Sequence, residues 1–501
     1  MNLVDLLRTQ AQERPDAPAV IENDGARRVC TFADLERRAA RGAARLRAQG
    51  VGRGDGVLVL QPMSITLYVL LAALFRVGAV AMVPDPSAPR AHIADCCEQA
   101  EPTALVGPPR AHLLRLWSRP VRQIPHAFVT GRWPLPWATR WPPPESGGEP
   151  SHTPVADCDS DTPALLTFTS GSTGAPKGAV RTHGRLRAQY EALRDNLDLQ
   201  PGQVDLATLP VFVLANLAAG VTTVLADADL RAPAQIDPGP VIDQVRTEAP
   251  TRTTASPAVF ERLMGAEPGV LDRFDRLYTG GAPVFPDLLG RMRDAAPSAE
   301  IVAVYGSTEA EPIAHVAETE IRPADRRHMV EGGGLLAGRP VDAVELRILP
   351  DRWGTPIGPF SSAALEKQSC PANTPGEIVV TGPHVVPGYL EGRGDDENKL
   401  EVDGTRWHRT GDAGRLDEEG RLWLLGRCEA TVRDDRGVLH PFAVECGARL
   451  HEDVRHAALA QRDGRRVLAV EPTAPRRGVD RGDLREQLAG VVLDAIVVLS
   501  A

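Results

Sequence analysis

Two kinds of apolar segment alternate along the N-terminal part of the chain: longer segments that predict helices and short unbroken runs that predict strands. Apolar residues recur every three to four positions from Phe32 to Gln49, which predicts a helix. The longer, almost wholly apolar stretch from Ile65 to Phe75 is expected to be the next helix, buried in the core. Unbroken apolar runs at 57–60 and 80–83 predict strands that are buried on both faces, as in a parallel sheet. Strands that alternate with helices predict an α/β fold with a largely parallel sheet covered on both faces.

The pattern continues less regularly towards the C-terminus. We predict a helix at 185–200 and strands at 206–210 and 377–380, whereas the Pro-rich segments 131–163 and 351–376 are expected to be irregular. After residue 426 the pattern shortens to polar strands and one or two helices. We therefore expect a large N-terminal domain of mixed, largely parallel sheets at 1–425 and a small α+β domain at 426–501.

Size and charge narrow the class of protein. A chain of 501 residues with 43% apolar residues is long enough for two or three cores. The net charge is −10 and no long basic run occurs, so nucleic acid is not expected as a partner. Arg76 interrupts the most apolar stretch, so we expect no membrane span. The seven cysteines show no paired metal spacing and no signal peptide is recognised, so a reduced, cytoplasmic protein is expected.

One segment at 167–178 combines glycines, hydroxyl side chains and a single lysine, and reads T-F-T-S-G-S-T-G-A-P-K-G. Such a loop can surround phosphate oxygens with backbone N–H groups, hydroxyls and one ammonium. It is not the common P-loop, because Lys177 is preceded by proline and followed by glycine. The candidate phosphate-binding residues are Thr169, Ser170, Gly171, Ser172, Thr173, Gly174 and Lys177.

The spelling T-S-G-S-T-G-x-P-K-G resembles the phosphate loop of the adenylate-forming superfamily, which includes acyl-CoA synthetases, peptide-synthetase adenylation domains and luciferases. Four further motifs follow in the superfamily's order: G-G-A-P at 280–283, Y-G-S-T-E at 305–309, T-G-D at 410–412 and G-R at 426–427. Five motifs in the same order over about 260 residues identify the chain as a member.

The resemblance implies activation of a carboxylic acid by ATP and Mg²⁺, with Lys177, Thr308 and Glu309 as catalytic residues. Thr308 would touch the α-phosphate, and Glu309 would bind the Mg²⁺ ion, which prefers oxygen ligands. Tyr305 would stack on adenine, and Asp412 would accept both ribose hydroxyls. The adenine- and ribose-binding residues implied in this way are Gly281, Ala282, Pro283, Tyr305, Gly306, Asp412 and Arg427.

The acyl end of the site follows from a second part of the resemblance. Val213 stands where many members have a histidine, and the segment 233–238 reads P-A-Q-I-D-P. This apolar pattern is similar to the olefin-pathway, β-lactone-forming branch, whose members activate a 3-hydroxy fatty acid and close a four-membered lactone without coenzyme A. The implied acyl-pocket residues are Phe212, Val213, Leu214 and Asn216. Residues 211–225 can equally be sheet and core, and both interpretations can hold.

The C-terminal part departs from the superfamily pattern. Members carry a lysine near the end of the small domain, whereas no lysine follows Lys399 in this sequence. The resemblance therefore predicts a truncated small domain. The arginines near the end of the chain that could supply a substitute charge are Arg465, Arg466, Arg476 and Arg477, but none of them has the sequence context of the superfamily lysine.

Three functions remain open from the sequence. The first is adenylation of an apolar, 3-hydroxy carboxylic acid with β-lactone closure. The second is acyl transfer to coenzyme A, a carrier protein or an amine, although coenzyme A is not indicated by any residue. The third is a nucleotide- or acyl-binding pseudoenzyme. The expected partner is a small-molecule carboxylic acid, and a carrier protein or a neighbouring pathway enzyme stays open.

Overall fold

The computed structural model describes residues 2–23, 25–85, 88–131, 133–142, 153–170, 176–474, 478–488 and 490–499. The chain divides into two compact units. The first unit contains Met1–Asp275 and Pro383–Asp395, and the second contains Arg276–Gly382 and Asp396–Ala501. The domain boundary at residue 426 lies inside the second unit and stays a prediction.

The first unit contains twelve strands and eleven α-helices among its described residues. The strands are β1 Pro18–Asn23, β2 Arg27–Thr31, β3 Gly56–Val59, β4 Val80–Val83, β5 Ala104–Gly107, β6 His126–Val129, β7 Thr139–Arg140, β8 Pro163–Ser170, β9 Pro176–Thr182, β10 Val204–Ala207, β11 Thr222–Leu225 and β12 Arg252–Ala255. The helices are α1 Val4–Glu13, α2 Phe32–Ala48, α3 Ile65–Val77, α4 Arg90–Ala100, α5 Pro109–His112, α6 Leu114–Trp117, α7 Arg119–Gln123, α8 His183–Asn196, α9 Pro210–Ala219, α10 Pro238–Glu248 and α11 Pro257–Ala266.

Parallel pairing dominates both sheets of this unit. One sheet has the order β7-β6-β5-β3-β4-β8-β9, and every neighbouring pair is parallel except β8–β9. The other runs β12-β10-β11-β1-β2, with only β2 antiparallel. Helices α2 and α3 bury Leu35, Leu70 and Leu74 in the core beside Phe128 and Trp141. The predicted α/β class is therefore confirmed.

The second unit contains fourteen strands and six α-helices among its described residues. The strands are β13 Arg276–Gly280, β14 Glu300–Ser307, β15 Ala310–Ala317, β16 Leu335–Pro340, β17 Glu345–Leu349, β18 Gly376–Thr381, β19 Lys399–Val402, β20 Thr405–Leu416, β21 Leu422–Arg427, β22 Val432–Asp434, β23 Gly437–Leu439, β24 Val454–Arg462, β25 Arg465–Pro472 and β26 Ala495–Val498. The helices are α12 Pro286–Ala295, α13 Pro323–His328, α14 Ser362–Gln368, α15 Asp395–Asn398, α16 Phe442–Ala448 and α17 Arg481–Gln487.

Antiparallel pairing dominates this unit. Strands β17-β18-β20-β21-β16-β15-β14-β13 lie side by side, and β19 pairs with β20. Among these strands only β13–β14 is a parallel pair. A two-stranded sheet, β22-β23, and a three-stranded sheet, β24-β25-β26, follow. After residue 426 the two helices α16 and α17 agree with the sequence pattern, whereas β24 and β25, with nine and eight residues, are longer than the short strands that it predicts.

Three segments differ from the sequence expectations. The predicted strand at 206–210 is β10, which ends at Ala207, and residues 211–225 are the helix α9 followed by β11 rather than sheet alone. The segment 351–376 contains the helix α14, which begins where the Ser361 side chain accepts a hydrogen bond from Ala364 N. The segment 131–163 contains the two-residue strand β7. None of the seven cysteines is in a disulfide bond, and no helix among the described residues is long and apolar enough to cross a bilayer.

Candidate active site

The β8–β9 hairpin carries the predicted phosphate-binding segment in the first unit. Buried side chains of Leu165, Leu166 and Phe168 hold β8 in the sheet, and the antiparallel pairing places Thr169 directly opposite Lys177. The two residues therefore flank the loop from both sides. Predicted ligands Gly171, Ser172, Thr173 and Gly174 lie outside the described residues, as does the side chain of Ser170.

Lys177 is held in a defined position by the segment Pro383–Asp395 of the same unit. Only 8% of its surface is exposed, and its ammonium lies 5.9 Å from the centre of the Tyr389 ring. The stem of Lys177 passes over Gly394, where an added Cβ would lie 2.7 Å from Cε. Gly394 also has a φ of 92°, which side-chain-bearing residues rarely adopt. This packing leaves little freedom to the one lysine of the phosphate segment.

In the second unit, three predicted nucleotide-binding residues form one hydrogen-bonded group. Asp412 on β20 lies directly opposite Arg427 on β21, and Arg427 Nη1 donates to Asp412 Oδ1 at 3.1 Å. The hydroxyl of Tyr305, on β14, donates to Asp412 Oδ2 at 2.7 Å. The T-G-D, Y-G-x-T-E and G-R motifs, separated by up to 122 residues in the chain, therefore meet at one carboxylate.

Burial changes the protonation behaviour of this group. It raises the pKa of Asp412 above its ordinary value, although Arg427 and the Tyr305 hydroxyl act in the opposite direction. It also raises the pKa of Tyr305 well above 10, and the neighbouring Asp412 carboxylate adds to that increase. At neutral pH Tyr305 is consequently a donor, and Asp412 is the acceptor around which the other two residues are arranged.

Thr308 and Glu309 form the turn between β14 and β15, next to Ser307 at the end of β14. Thr308 is exposed, whereas only 9% of the surface of Glu309 is exposed. The Ser307 hydroxyl and the Thr279 hydroxyl, on neighbouring strands, are buried without a hydrogen-bond partner among the described residues. Buried hydroxyls of this kind normally have partners, so this strand end is chemically suited to a polar ligand.

The predicted G-G-A-P turn follows β13 in the same unit. Gly280 pairs with Val304, and an added Cβ at this glycine would lie 2.5 Å from the Val304 carbonyl oxygen. The next three residues, Gly281, Ala282 and Pro283, are exposed. Gly306 lies in β14 between Tyr305 and Ser307. The turn therefore offers exposed backbone beside the end of β14, as a bound base would require.

Two residues that the sequence analysis did not select lie close to these motifs. Lys399 on β19 is directly opposite His408 on β20, and Lys399 Nζ lies 3.2 Å from His408 Nδ1. Both side chains are buried. Burial and the neighbouring Lys399 ammonium lower the pKa of His408 to about 3, whereas Glu309 acts in the opposite direction. His408 is therefore a neutral ring at physiological pH.

A second missed feature fixes the strand that carries Asp412. Arg409 and Glu377 are completely buried, with Nε–Oε1 and Nη2–Oε2 distances of 2.6 and 2.8 Å. Arg409 also donates to the carbonyl oxygens of Thr355 and Arg352. The signal in the sequence is a charged residue inside a strand, immediately before T-G-D. Nothing in the sequence indicates that its partner is Glu377, which lies 32 residues away in the chain.

The predicted acyl-pocket residues lie on one helix, α9. Phe212 and Val213 are buried, whereas Leu214 contributes to an apolar cavity of about 60 Å³ between α1, α3, α8 and α9. Asn216 Nδ2 donates to Asp205 Oδ2 at 2.8 Å and lies 3.2 Å from Thr223 Oγ1. Asn216 therefore links α9 to β10 and β11. An acyl-binding role for these four residues stays a prediction.

The arginines considered as substitute charges are placed differently from one another. Arg466 forms a bidentate pair with Asp434, at 2.6 and 2.9 Å, and is buried. Arg465 donates to the carbonyl oxygen of Asp494. Arg476 and Arg477 lie outside the described residues. The buried pair gives Arg466 a structural role in the three-stranded sheet region.

Metal binding by protein side chains alone is not indicated. No group of three His, Cys, Asp or Glu side chains suited to a metal ion occurs in the described part of the chain. A Mg²⁺ ion bound with one carboxylate and substrate phosphates needs no such group. The single buried carboxylate of Glu309 is compatible with that mode.

Comparison with known proteins shows the family to which the chain belongs. The sequence profile of the family described as "AMP-binding enzyme" matches residues 7–390. The "Olefin beta-lactone synthetase" of Xanthomonas campestris pv. campestris is 34% identical over 483 residues, covering 91% of this chain and 84% of the relative. The protein of the same name from Stenotrophomonas maltophilia is 32% identical over 461 residues, covering 89% and 82%.

Solved structures show the same fold. The amide bond synthetase McbA from Marinactinospora thermotolerans superposes with a TM-score of 0.80 at 22% identity, covering 100% of this chain and 96% of that one. ATP-bound MatB from Rhodopseudomonas palustris gives a TM-score of 0.79 at 21% identity, covering 100% and 95%. The chain therefore belongs to the AMP-binding enzyme family and is an ATP-dependent, adenylate-forming synthetase.

Proposed function

We propose that this enzyme activates an apolar 3-hydroxy carboxylic acid as its acyl-adenylate and then closes a β-lactone. The observation that carries the proposal is the similarity to two relatives named olefin beta-lactone synthetase over about nine-tenths of the chain. The apolar character of α9, with Val213 in place of a histidine, supports an apolar acid. Alkyl chains are bound mainly by apolar surroundings.

Asp412 is proposed to bind the ribose. An ionised carboxylate offers about four lone-pair sites. Tyr305 and Arg427 use one site on each oxygen, so two sites remain for the ribose hydroxyls. The two residues also fix the orientation of the carboxylate before the nucleotide arrives, which lowers the entropic cost of binding. The Tyr305 ring is proposed to stack on adenine.

Lys177 and Glu309 are proposed to act at the phosphates. The Lys177 ammonium would contact the β- and γ-phosphates, together with Thr169, Ser170, Gly171, Ser172, Thr173 and Gly174. Glu309 would hold Mg²⁺, which neutralises phosphate charge when bound. Thr308, exposed beside Glu309, would donate its hydroxyl to the α-phosphate. Catalysis in this scheme rests on positioning and charge stabilisation and needs no nucleophilic side chain.

The proposed reaction has two steps. First, a carboxylate oxygen of the acid attacks the α-phosphorus of ATP, and the bond to pyrophosphate breaks. Second, the oxygen of the 3-hydroxyl attacks the activated acyl carbon, its proton is released, and the bond to AMP breaks. The products are pyrophosphate, AMP and a β-lactone that is lighter than the acid by one water. The nucleophile of the second step belongs to the substrate.

A matched pair of acids tests this proposal. With ATP, Mg²⁺ and a 3-hydroxy acid, we expect AMP and the dehydrated product by mass spectrometry, without any added thiol. The corresponding 3-deoxy acid should stop at the adenylate, because it lacks the internal nucleophile. Synthetic 3-hydroxyacyl-AMP should release AMP and lactone without ATP, which isolates the second step.

Other outcomes would replace the proposal. AMP release that depends strictly on coenzyme A, with no dehydrated product, would identify a thioester ligase. Nucleotide binding without pyrophosphate release for any acid would identify a binding protein. The 3-deoxy acid is the internal control, because a thioester ligase would turn over both acids.

A further inference from the structure

One region of the first unit has a composition opposite to that of the chain as a whole. Residues 102–144 contain six arginines and no aspartate or glutamate, although the whole chain has a net charge of −10. The same region contains four of the seven tryptophans. A basic segment that is also rich in tryptophan is typical of surfaces that contact anionic lipid head groups.

The structure exposes the apolar side chains of this region. Trp133 is 78% exposed, Trp137 is 65%, Leu116 is 62% and Trp117 is 61%. Leu113, at 49%, belongs to the same group. These five account for nearly half of the large hydrophobic side chains that are exposed in the described part of the chain. We call them, together with Arg110, Arg119, Arg122 and Arg140, the Trp–Arg surface.

The Trp–Arg surface has two parts, one on helices α5 to α7 and one that follows β6, and the topology brings both to one edge of the first sheet. Strands β5 and β6 are parallel neighbours, and their last residues, Gly107 and Val129, lie opposite each other. Helices α5 to α7 follow the carboxyl end of β5, and residues 130–131 and 133–138 follow the carboxyl end of β6. The ring of His112, on α5, lies 3.1 Å from the carbonyl oxygen of Phe128 and ties the two halves together.

The charges of the arginines on this surface are not neutralised by nearby acidic side chains in ion pairs in the described part of the chain. Arg110, Arg119, Arg122 and Arg140 are exposed, and none of them forms an ion pair within the described residues. Arg110 lies near Asp229, whose pKa is lowered mainly by hydrogen bonds from Arg231 and to a smaller extent by the Arg110 charge. Arg122 donates to the carbonyl oxygens of Arg115 and Leu116. The guanidinium charges of Arg119 and Arg140 are the most available for an external anion.

From this arrangement we propose that the Trp–Arg surface docks the enzyme on an anionic lipid bilayer. Tryptophan rings favour the head-group level, leucines favour the acyl boundary, and arginines pair with lipid phosphates. Nucleic acid would use the arginines and stack on the tryptophans, but it would leave the exposed Leu113 and Leu116 unexplained. The docking is peripheral and does not depend on the lactone reaction.

Vesicle partitioning tests the docking directly. The full chain is mixed, without substrate, with vesicles of phosphatidylcholine alone or with added phosphatidylglycerol, and bound protein is separated by flotation. We expect binding to the anionic vesicles, a blue shift of tryptophan emission and loss of binding at high salt. The double variant Trp133→Ser/Trp137→Ser should lose most of the blue shift of tryptophan emission. The double variant Arg119→Glu/Arg140→Glu should weaken partitioning to anionic vesicles by at least about tenfold.

Matched variants keep the test decisive. Val438→Ser and Arg462→Glu change an exposed apolar side chain and an exposed arginine in the second unit, and both should bind vesicles like the wild type. Melting temperatures and pyrophosphate release distinguish loss of docking from loss of folding. The proposal is overturned if wild-type protein ignores anionic vesicles, if the surface variants bind as well as the controls, or if single-stranded RNA binds more tightly than the vesicles.

Discussion

Two arginine–carboxylate pairs involve the same strand, β20, and differ in almost every property. Arg409 and Glu377 are both 0% exposed, and two short hydrogen bonds join them. Arg427 is 61% exposed and Asp412 is 20% exposed, and one hydrogen bond of 3.1 Å joins them. Arg409 lies opposite Val379 on β18, whereas Asp412 lies opposite Arg427 on β21, so the two side chains have different neighbours.

The difference concerns unused hydrogen-bonding capacity. Arg409 uses four N–H donors on Glu377, Thr355 and Arg352 and has almost nothing left for a ligand. Asp412 uses only one hydrogen bond on each carboxylate oxygen from Tyr305 and Arg427. We interpret the first pair as the anchor of the strand and the second as a binding site that is oriented but incomplete.

The largest expected effect concerns the buried Arg409–Glu377 pair. Glu377→Ala leaves the buried Arg409 charge unpaired, and we expect the free energy of unfolding to fall by about 3–5 kcal/mol. Arg427→Met is the matched control at the exposed pair and should cost less than about 1 kcal/mol. Chemical denaturation measures both variants. Equal losses would show that the two pairs are not different in kind.

The next effect concerns Lys177. Lys177→Ala should reduce adenylate formation by roughly 100-fold, because the cation proposed to bind the phosphates is lost. AMP affinity should change little, since AMP lacks the β- and γ-phosphates. Lys367→Ala, which removes an exposed lysine, is the control. Pyrophosphate release and AMP calorimetry give the two readouts, and parallel losses of ATP and AMP affinity would contradict the phosphate assignment.

A smaller effect is expected at Tyr305. Tyr305→Phe keeps the ring but removes the donor to Asp412, so AMP affinity should fall by about fivefold, or about 1 kcal/mol. Tyr305→Leu also removes the ring and should cost more. AMP calorimetry compares the two variants. If Phe and Leu are equivalent, the ring does not stack on adenine.

The sequence predicted the fold well wherever periodicity was strong. The helix expected at Phe32–Gln49 is Phe32–Ala48, and the strand expected at 80–83 is Val80–Val83. Periodicity was less useful at α9, because a short apolar run suits a buried helix and a buried strand equally. The helix α14 was missed although Ser361 is a favourable N-cap residue, because the surrounding prolines dominated the interpretation.

The candidate site was only partly accessible from the sequence. The sequence motifs identified Tyr305, Asp412 and Arg427, and these three residues form one hydrogen-bonded group. Motif spelling could not select Lys399 as the neighbour of His408, or Glu377 as the partner of Arg409. These are pairings between strands, and no local pattern determines which residues become cross-strand neighbours.

The central claim is that the Asp412 carboxylate, oriented by Tyr305 and Arg427, binds the nucleotide. Calorimetry with adenosine tests this claim most directly. Adenosine has the ribose hydroxyls but no phosphate to titrate. Because burial raises the pKa of Asp412, protonation removes the acceptor at a higher pH than for an exposed aspartate. Affinity should therefore fall as the pH is lowered from neutral towards about pH 4.

Asp412→Asn keeps the shape of the side chain and removes the charge. We expect this variant to bind adenosine at least about tenfold more weakly at neutral pH, with no further loss on acidification. Its melting temperature should stay close to that of the wild type. Undiminished adenosine binding by Asp412→Asn, with the same pH dependence as the wild type, would contradict the assignment of this carboxylate to the nucleotide.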